Sequence, residues 1–250
     1  MKIVNAEWEI RNLGVKTIEI SIEKNDTLLS EKDLIATIEK HIRQYEASYV
    51  VVKSDSRYSA ISLYLQRAGF IFMENQIDLR ANRTDIADSV EKYRKVCAGA
   101  HCRLANEEDI QMIFSEMERG IFDTDRVALD PYFGVKAANR RYLFWIQDEL
   151  KRGAWATIYT FEDDPIGFSL DKASANGKTI ISLLGGLFNQ PETRRLGAIL
   201  RYAGAVGFCN SGFLFLKTAV SSNNLNILQL HLAFGCRITA IKNVLIKHCP

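Results

Sequence analysis

Short runs of alternating apolar and polar residues take turns with stretches of helical spacing along the chain. Residues 18–22 alternate as a half-buried strand does, and Ser30 precedes a run whose apolar residues fall on one face of a helix. The sequence then predicts a strand at 49–52, a helix at 61–68 and a strand at 72–79. Because strands and helices alternate, we expect a mixed α/β fold.

The second half continues this alternation with more strands. We expect strands at 102–105, 154–161, 166–170, 179–184, 213–216 and 237–247, and helices at 107–117, 142–150, 195–208 and 224–234. Residues 80–95 are charged and carry few large apolar side chains, so we interpret them as a surface connector or an exposed helix. This interpretation places a domain boundary between Arg80 and Gly99, with a first domain at 1–98 and a second at 99–250.

Two distant segments have the same order of features. Residues 49–80 and residues 213–247 both predict a strand, a lysine, a polar loop, a helix, a glycine and a second strand. The lysines are Lys53 and Lys217, and the glycines are Gly69 and Gly235. The repetition favours two related subdomains, although strand–helix–glycine–strand is common enough to recur by chance.

Composition agrees with a globular chain and removes several classes of function. The 250 residues are 47% hydrophobic and 25% charged, and 32 Lys and Arg against 30 Asp and Glu leave a net charge of +2. A chain this close to neutral has no general attraction for nucleic acid or for an anionic membrane surface, so we expect neither partner.

The distribution of charged and sulfur-containing residues favours the cytoplasm. Glu7 and Glu9 interrupt the apolar region that a signal peptide needs, and polar residues interrupt the most apolar stretch at 202–216. The five cysteines are odd in number and form no C-x-x-C pair, which is typical of a reducing compartment. The four histidines have no metal-ligand spacing, so we expect no metal. The sequence leaves a homodimer open.

The segment from Leu184 to Ala198 has the layout of a site for a pyrophosphate. A predicted strand ends in Leu184-Gly185-Gly186-Leu187, a loop carries Arg194 and Arg195, and a helix opens at Gly197-Ala198. The N–H groups of a helix N-terminus attract an anion, small residues leave room for it, and arginines add charge-assisted hydrogen bonds. An ordinary strand–loop–helix connection with solvated arginines is the alternative. The motifs of serine hydrolases, zinc proteases and dinucleotide dehydrogenases do not occur.

Two motifs together resemble the acetyl-CoA signature of the GNAT N-acetyltransferases. They are Arg194-x-x-Gly197 and, after a predicted strand, Asn224-x-x-Ile227-x-x-x-His231-x-x-x-Gly235. The resemblance implies the GNAT fold with an N-terminal partial copy, and acetyl-CoA (coenzyme A) as cosubstrate. It also implies a cofactor-binding set made of Leu184, Gly185, Gly186, Leu187, Arg194, Arg195, Gly197, Ala198 and Asn224. Three residues depart from the family pattern: Arg195 and Ile199 replace small residues, and His231 stands where these enzymes carry a tyrosine.

His231 is the candidate catalytic residue. The family tyrosine protonates the departing thiolate, and a histidine there can donate its remaining N–H or, after a modest upward shift of its pKa, act as an acid. A polar residue on an amphipathic helix is the alternative interpretation. We expect the oxyanion to be stabilised by backbone N–H groups where the strand from Thr179 breaks. A water chain, Asp171 or Glu192 could take the proton of the amine.

The acceptor is expected to be a primary amine of a nucleotide-linked aminodeoxy sugar. Residues 122–146 and the two-part layout resemble the dTDP-fucosamine (dTDP-4-amino-4,6-dideoxygalactose) N-acetyltransferases. A nucleotide sugar calls for arginine forks and aromatic faces, which Arg126 and Tyr132 could supply. The alternatives are an acetyltransferase of another small amine or of a protein N-terminus, and a degenerate, non-catalytic GNAT interaction module. The N-terminal copy has no arginine–glycine loop, so we expect it to bind no CoA.

Overall fold

One mixed sheet of ten strands runs through the protein in a computed structural model that describes residues 1–188 and 196–249. The strands are β1 (Lys2–Asn5), β2 (Thr17–Ser21), β3 (Tyr49–Asp55), β4 (Ile71–Asn82), β5 (Ala100–Leu104), β6 (Trp155–Phe161), β7 (Asp164–Ala173), β8 (Thr179–Leu187), β9 (Phe215–Ser221) and β10 (Arg237–His248). Their order across the sheet is β1-β2-β3-β10-β4-β9-β8-β7-β6-β5.

Helices cover both faces of this sheet. They are α1 (Trp8–Leu13), α2 (Glu31–Tyr45), α3 (Ser59–Arg67), α4 (Arg83–Tyr93), α5 (Glu107–Glu118), α6 (Gly134–Lys151), α7 (Gly197–Asn210) and α8 (Leu225–Ala233), and a short 3₁₀ helix spans Lys24–Leu28. The mixed α/β fold class is therefore confirmed.

The two halves of the chain exchange strands at the centre of the sheet. β10 lies between β3 and β4, and β4 lies between β10 and β9, with antiparallel pairing throughout. Exchanging β3-α3-β4 with β9-α8-β10 gives the same four strands in the same order, read from the opposite end of the sheet. These two strand–helix–strand units are the repeated segments of the sequence. The sheet crosses the boundary at 98/99, and the division into 1–98 and 99–250 stays a prediction.

Alternation of buried side chains explains why β3 is apolar along most of its length. Val50 and Val52 pack into a core with Ile18, Leu34 and Ile61 on the side of α2 and α3. Tyr49 and Val51 pack on the other side with residues that precede and begin α6, such as Val127 and Ala138. A strand covered on both faces has no polar face, so its sequence is a continuous apolar run.

Residues 83–93 form α4, which agrees with the exposed-helix interpretation of residues 80–95 and not with a surface connector. β4 continues to Asn82, whose side chain caps α4 by accepting a hydrogen bond from Asp85 N at 2.8 Å. Ile86 is fully buried beneath the charged surface of α4. A single buried apolar residue is a weak pattern, so the sequence alone could not decide between a connector and an exposed helix.

The long helix α6 connects the second half to the first. It begins at Gly134, eight residues before the predicted start at 142. Residues 134–141 contain only one large apolar side chain, Val135, so hydrophobic spacing did not reveal these turns. Arg141 Nε donates to Glu9 Oε1 of α1 at 2.7 Å, and Arg140 Nε donates to Asn12 O at 3.1 Å. These contacts hold one face of the helix against α1, beside the middle of the sheet.

Candidate active site

Two neighbouring parallel strands separate where the sequence predicted an acetyl-CoA site. β8 pairs with β9 only from Thr179 to Ile181, whereas β8 continues to Leu187 and β9 continues to Ser221. The equivalent strands of the first half stay together, since β2 pairs with β3 over all of Thr17–Ser21. The backbone of β8 beyond Ile181 therefore has hydrogen-bonding groups toward β9 that no β9 residue satisfies.

A bulge begins this separation. The register between β7 and β8 shifts from Leu170 opposite Leu184 to Asp171 opposite Ser182, so Leu183 is the extra residue. A bulge bends its strand and increases the local twist. The bend turns the second part of β8 away from β9.

The gap between the strands is a cavity of about 1040 Å³, which we call the cofactor cavity. Its lining brings together the described members of the predicted site, namely Leu184, Gly185, Gly186, Leu187, Gly197, Ala198, Asn224 and His231. Arg194 and Arg195 lie outside the described residues, and their role stays a prediction. A side chain at Gly186 would place its Cβ 3.3 Å from Phe122 Cζ, so glycine at this position lets the ring of Phe122 lie close to the backbone of β8.

The first turn of α7 borders this cavity, and within residues 1–188 and 196–249 no side chain caps its N–H groups. Leu196 is the N-cap residue and provides no side-chain hydrogen bond, and the first turn contains no acidic residue. Gly197 and Ala198 line the cavity at this end. The positive end of the helix dipole is thus available to an anion.

Arg201, one turn further along α7, is a buried cation in the cofactor cavity. It is 7% exposed, its Nε has no hydrogen-bond partner, and within residues 1–188 and 196–249 no carboxylate lies at ion-pair distance. Its Nη2 lies 3.7 Å from Cys236 Sγ. Its guanidinium also lies over the ring of Phe234, with Cζ 5.7 Å from the ring centroid. Because no described carboxylate pairs with it, Arg201 can interact with a negative group that enters the cavity. Sequence reasoning missed this residue, although it is the only charged position in the otherwise uncharged sequence of α7.

His231 faces the same cavity as a neutral imidazole. Its Nδ1 lies 3.8 Å from Cys236 Sγ, and burial, together with the charge of Arg201, lowers its pKa to about 3. The prediction that an upward shift of its pKa makes His231 an acid is therefore wrong, because the pKa is lowered. A neutral imidazole can still donate one N–H hydrogen bond. Asn224 also lines the cavity, and its side chain caps α8 by accepting from Ile227 N at 3.2 Å.

A second cavity of about 480 Å³ adjoins the first, and we call it the acceptor-side cavity. The two share residues of both separated strands, of the segment before α6 and of α6 itself: Leu183, Leu184, Ala219, Val220, Ser221, Asp125 and Tyr142. Half of the remaining wall comes from the first half of the chain, through Trp8, Asn12, Glu19, Lys53, Glu74 and Gln76, and the other half comes from Arg126 and from α6 and the residue after it, through Arg141, Trp145, Asp148, Glu149 and Arg152. Both halves of the chain thus meet at this site.

Ion pairs fix the polar wall of the acceptor-side cavity. Arg126 is 8% exposed, and its Nη2 donates to Glu19 Oε1 at 2.9 Å. Lys53 Nζ lies 3.7 Å from Glu19 Oε2. Burial raises the pKa of Glu19, but the charges of Arg126 and Lys53 outweigh it and lower the pKa to about 2. Arg126, which the sequence suggested as a substrate-binding residue, lines this cavity. Its guanidinium already forms an ion pair with Glu19.

Three other predicted residues are not part of the described site. Tyr132 is 68% exposed and lines neither cavity; its ring packs against Phe133 and His248. Asp171 is buried behind Ser169, which donates to its Oδ2 at 2.5 Å, and Asp171 lines neither cavity. Glu192 lies outside the described residues.

Searches for a metal site and for a membrane span gave no candidates in the part of the chain that the structure describes. No group of three or more His, Cys, Asp or Glu within 1–188 and 196–249 could hold a metal ion. None of the described helices has the length and apolar character needed to cross a membrane.

Comparisons with known proteins agree with this architecture at the level of fold. No protein-family model matches the sequence, and no curated protein matches it. A GCN5-related N-acetyltransferase from Sphaerobacter thermophilus is 12% identical with a TM-score of 0.61, over 98% of this chain and 75% of that one. A GCN5-related N-acetyltransferase from Kribbella flavida is 12% identical with a TM-score of 0.56, over 94% and 82%.

A further solved structure has a similar fold. It is a tandem GNAT protein from the clavulanic acid biosynthesis pathway, 12% identical with a TM-score of 0.52, over 88% of this chain and 70% of that one. Nothing in these comparisons supports specificity for dTDP-fucosamine. The described chain has the fold of the GCN5-related N-acetyltransferases.

Proposed function

We propose that this protein transfers an acetyl group from acetyl-CoA to a primary amine. The observation that carries the proposal is the separation of β8 from β9 beyond Ile181, which opens a cavity at a helix N-terminus. The closed pair of β2 and β3 supports the view that the first copy of the fold binds no CoA. One copy would thus bind the cosubstrate and the other would complete the sheet.

The cofactor cavity offers acetyl-CoA an anionic end and an extended channel. The N–H groups at the start of α7 would hold the pyrophosphate, with Gly197 and Ala198 leaving room for close approach. Arg194 and Arg195 would add charge-assisted hydrogen bonds. The pantetheine arm would lie between β8 and β9 and use the backbone groups of residues 182–187 that β9 leaves without a partner.

The reaction joins an amine nitrogen to the acetyl carbon and releases a thiolate. As the C–N bond forms, negative charge collects on the carbonyl oxygen, where backbone N–H groups of β8 beyond Ile181 would stabilise it. The C–S bond then breaks, and its electrons leave with sulfur. Arg201 would stabilise the thiolate by charge, and the neutral imidazole of His231 would contribute at most a hydrogen bond.

The finer identity of the acceptor belongs to the same proposal. The acceptor-side cavity carries Arg126 and Arg141 together with the aromatic faces of Trp8 and Trp145. Arginines and indole rings are the side chains that a phosphate and a flat base call for, as in a nucleotide-linked aminodeoxy sugar, and such an acceptor would compete with Glu19 and Glu9 for these two arginines. Another small amine or a protein N-terminus would react through its nitrogen in the same way. An activity assay must therefore compare these acceptors with nucleotide-linked amino sugars.

Isothermal titration with acetyl-CoA tests the proposal. We expect micromolar binding by the unaltered protein and no detectable binding by Gly197→Trp, because a Cβ at Gly197 already lies 3.2 Å from Leu230 Cδ1 and an indole would occupy the cavity. Ala175→Trp, in the exposed turn between β7 and β8, is the matched control and should bind as tightly as the unaltered protein. If the unaltered protein binds no acetyl-CoA, the transferase proposal fails and a non-catalytic interaction module remains.

A further inference from the structure

Glu74 is a buried carboxylate in the acceptor-side cavity that the sequence did not single out. It lies on β4, the strand that the first half of the chain places beside β9. Two residues further along β4, Gln76 pairs with Ser221 of β9, and Ser221 lines both cavities. Glu74 is 7% exposed, and its Oε2 has no hydrogen-bond partner.

The other carboxylates in the wall of this cavity already have partners. Glu19 pairs with Arg126 and Lys53, and Asp125 accepts hydrogen bonds from Tyr142 Oη at 2.7 Å and from Ala128 N at 2.8 Å. Asp148 pairs with Arg11, and Glu149 pairs with Lys172 and Arg152. Among the described carboxylates of the wall, Glu74 is the one with an oxygen left for a ligand.

We propose that Glu74 accepts the proton of the acceptor's ammonium group and that the acceptor-side cavity is the binding site of that amine. This inference rests on the proposed acetyl transfer and adds the residue that activates the nucleophile. It also makes the site composite, because the base comes from the first half of the chain and the CoA-binding elements come from the second.

The step balances without any further reactant. The carboxylate of Glu74 takes one proton from the R–NH₃⁺ group, and the lone pair that this frees attacks the acetyl carbon. The C–N bond forms, the C–S bond breaks, and its electron pair leaves on sulfur. A second proton leaves nitrogen and ends on the thiolate, which gives the amide and free CoA, while Glu74 returns its proton to solvent.

The surroundings of Glu74 raise its pKa above the ordinary value of a glutamate. Burial is the largest influence on the pKa of Glu74 and raises it, and the negative charge of Asp125 raises it further. A hydrogen bond with Ser221 and the positive charges of Arg126 and Lys53 lower the pKa by less, so the net shift is upward. Glu19 and Arg141 also line the cavity and largely offset one another in charge. A carboxylate with a raised pKa binds a proton more strongly than an ordinary one, so it is a better base once ionised.

The test compares Glu74→Gln with the unaltered protein in an assay of CoA thiol release. The acceptors are amino acids, polyamines, free amino sugars and nucleotide-linked amino sugars, so the same experiment identifies the acceptor class. We expect Glu74→Gln to lower kcat/KM about 10²-fold or more. In the unaltered protein, kcat/KM should fall with decreasing pH as Glu74 becomes protonated, and the variant should lose this dependence. Asp78→Asn, on the same strand but outside both cavities, is the control and should keep full activity.

An aminooxy compound separates removal of the ammonium proton from a structural role, because its nitrogen is already a neutral –NH₂ group at neutral pH and can attack without first losing a proton to a base. Glu74→Gln should transfer acetyl to it nearly as fast as the unaltered protein does. Equal loss with both nucleophiles, or no loss with amines, overturns the role of Glu74. Acetyl-CoA binding by titration keeps the two proposals apart: if the unaltered protein binds and transfers while Glu74→Gln is unchanged, only the inference fails, whereas absence of binding removes the proposed function itself.

Discussion

Replacing Arg201 by methionine separates two roles of a buried cation, namely support of the fold and stabilisation of a charge that forms during reaction. Arg201 is 7% exposed, and its neighbours within 1–188 and 196–249 include a thiol at 3.7 Å but no carboxylate at ion-pair distance. Methionine is a flexible apolar side chain that fills irregular space. Arg201→Met therefore removes the charge and keeps most of the packing.

We expect Arg201→Met to increase stability and to decrease activity. A buried cation that forms no ion pair with a described carboxylate keeps much of its desolvation cost, so Arg201→Met should raise the free energy of unfolding by about 1–3 kcal/mol. For a chain of this size each kcal/mol is worth about 2–4 °C in Tm. Loss of one electrostatic stabiliser of a forming anion costs about 10²–10³-fold in kcat.

Three measurements check this prediction. The first two are Tm, and kcat from thiol release with any amine that the protein accepts. The third is the number of protons released when CoA binds, by titration in buffers of different ionisation enthalpy. Arg201 favours the thiolate of bound CoA, so the unaltered protein should release more protons than Arg201→Met. Arg201→Lys keeps a positive charge and should retain part of the rate.

The outcome that refutes the reasoning is also definite. A lower Tm for Arg201→Met, with kcat and proton release unchanged, would show that Arg201 supports the fold and does not stabilise a thiolate. A further consequence concerns His231: because Arg201 lowers the pKa of His231, the variant should show a higher pKa for that imidazole in a titration followed by NMR.

Two further predictions concern stability. Glu19→Ala leaves Arg126 buried without its carboxylate partner and should lower the free energy of unfolding, measured with urea, by about 3 kcal/mol. Glu46→Ala removes an exposed pair with Lys16 and should change that free energy little. Equal effects of the two variants would contradict the burial argument. Because the pKa of Glu19 is lowered to about 2, its contribution is present at neutral pH and is lost as pH falls from its ordinary pKa toward about 2, so the difference between the unaltered protein and Glu19→Ala should shrink over that range. Gly235→Ala should destabilise by about 1–3 kcal/mol, because Gly235 has φ +82° and a Cβ would lie 2.6 Å from Asp85 O; an unchanged Tm would contradict this.

The local parts of the site were predictable from the sequence. Gly185 and Gly186 end one strand, Gly197 and Ala198 begin the next helix, and Asn224 follows the next strand. In a strand–helix–strand unit with parallel strands, these positions come to the same edge of the sheet, so residue spacing is enough to bring them together. The structure places all of them around the cofactor cavity.

The long-range parts were not predictable in the same way. Glu74 reaches the site because β4 inserts between β10 and β9, and which strand pairs with an open edge is decided by packing across the whole sheet. Arg201 lies on an apolar helix, where periodicity predicts only core. The pKa of His231 depends on its burial and on Arg201, neither of which its place in the motif reveals.

Hydrogen exchange of the protein with and without acetyl-CoA tests the central claim most directly, because it compares the separated and the closed strand pair in one experiment. We expect acetyl-CoA to slow amide exchange in residues 182–187 and in the first turn of α7, and to leave residues 17–21 and 49–53 unchanged. Protection of the β2–β3 pair, or no added protection along β8, would contradict the claim that the gap between β8 and β9 is the acetyl-CoA site.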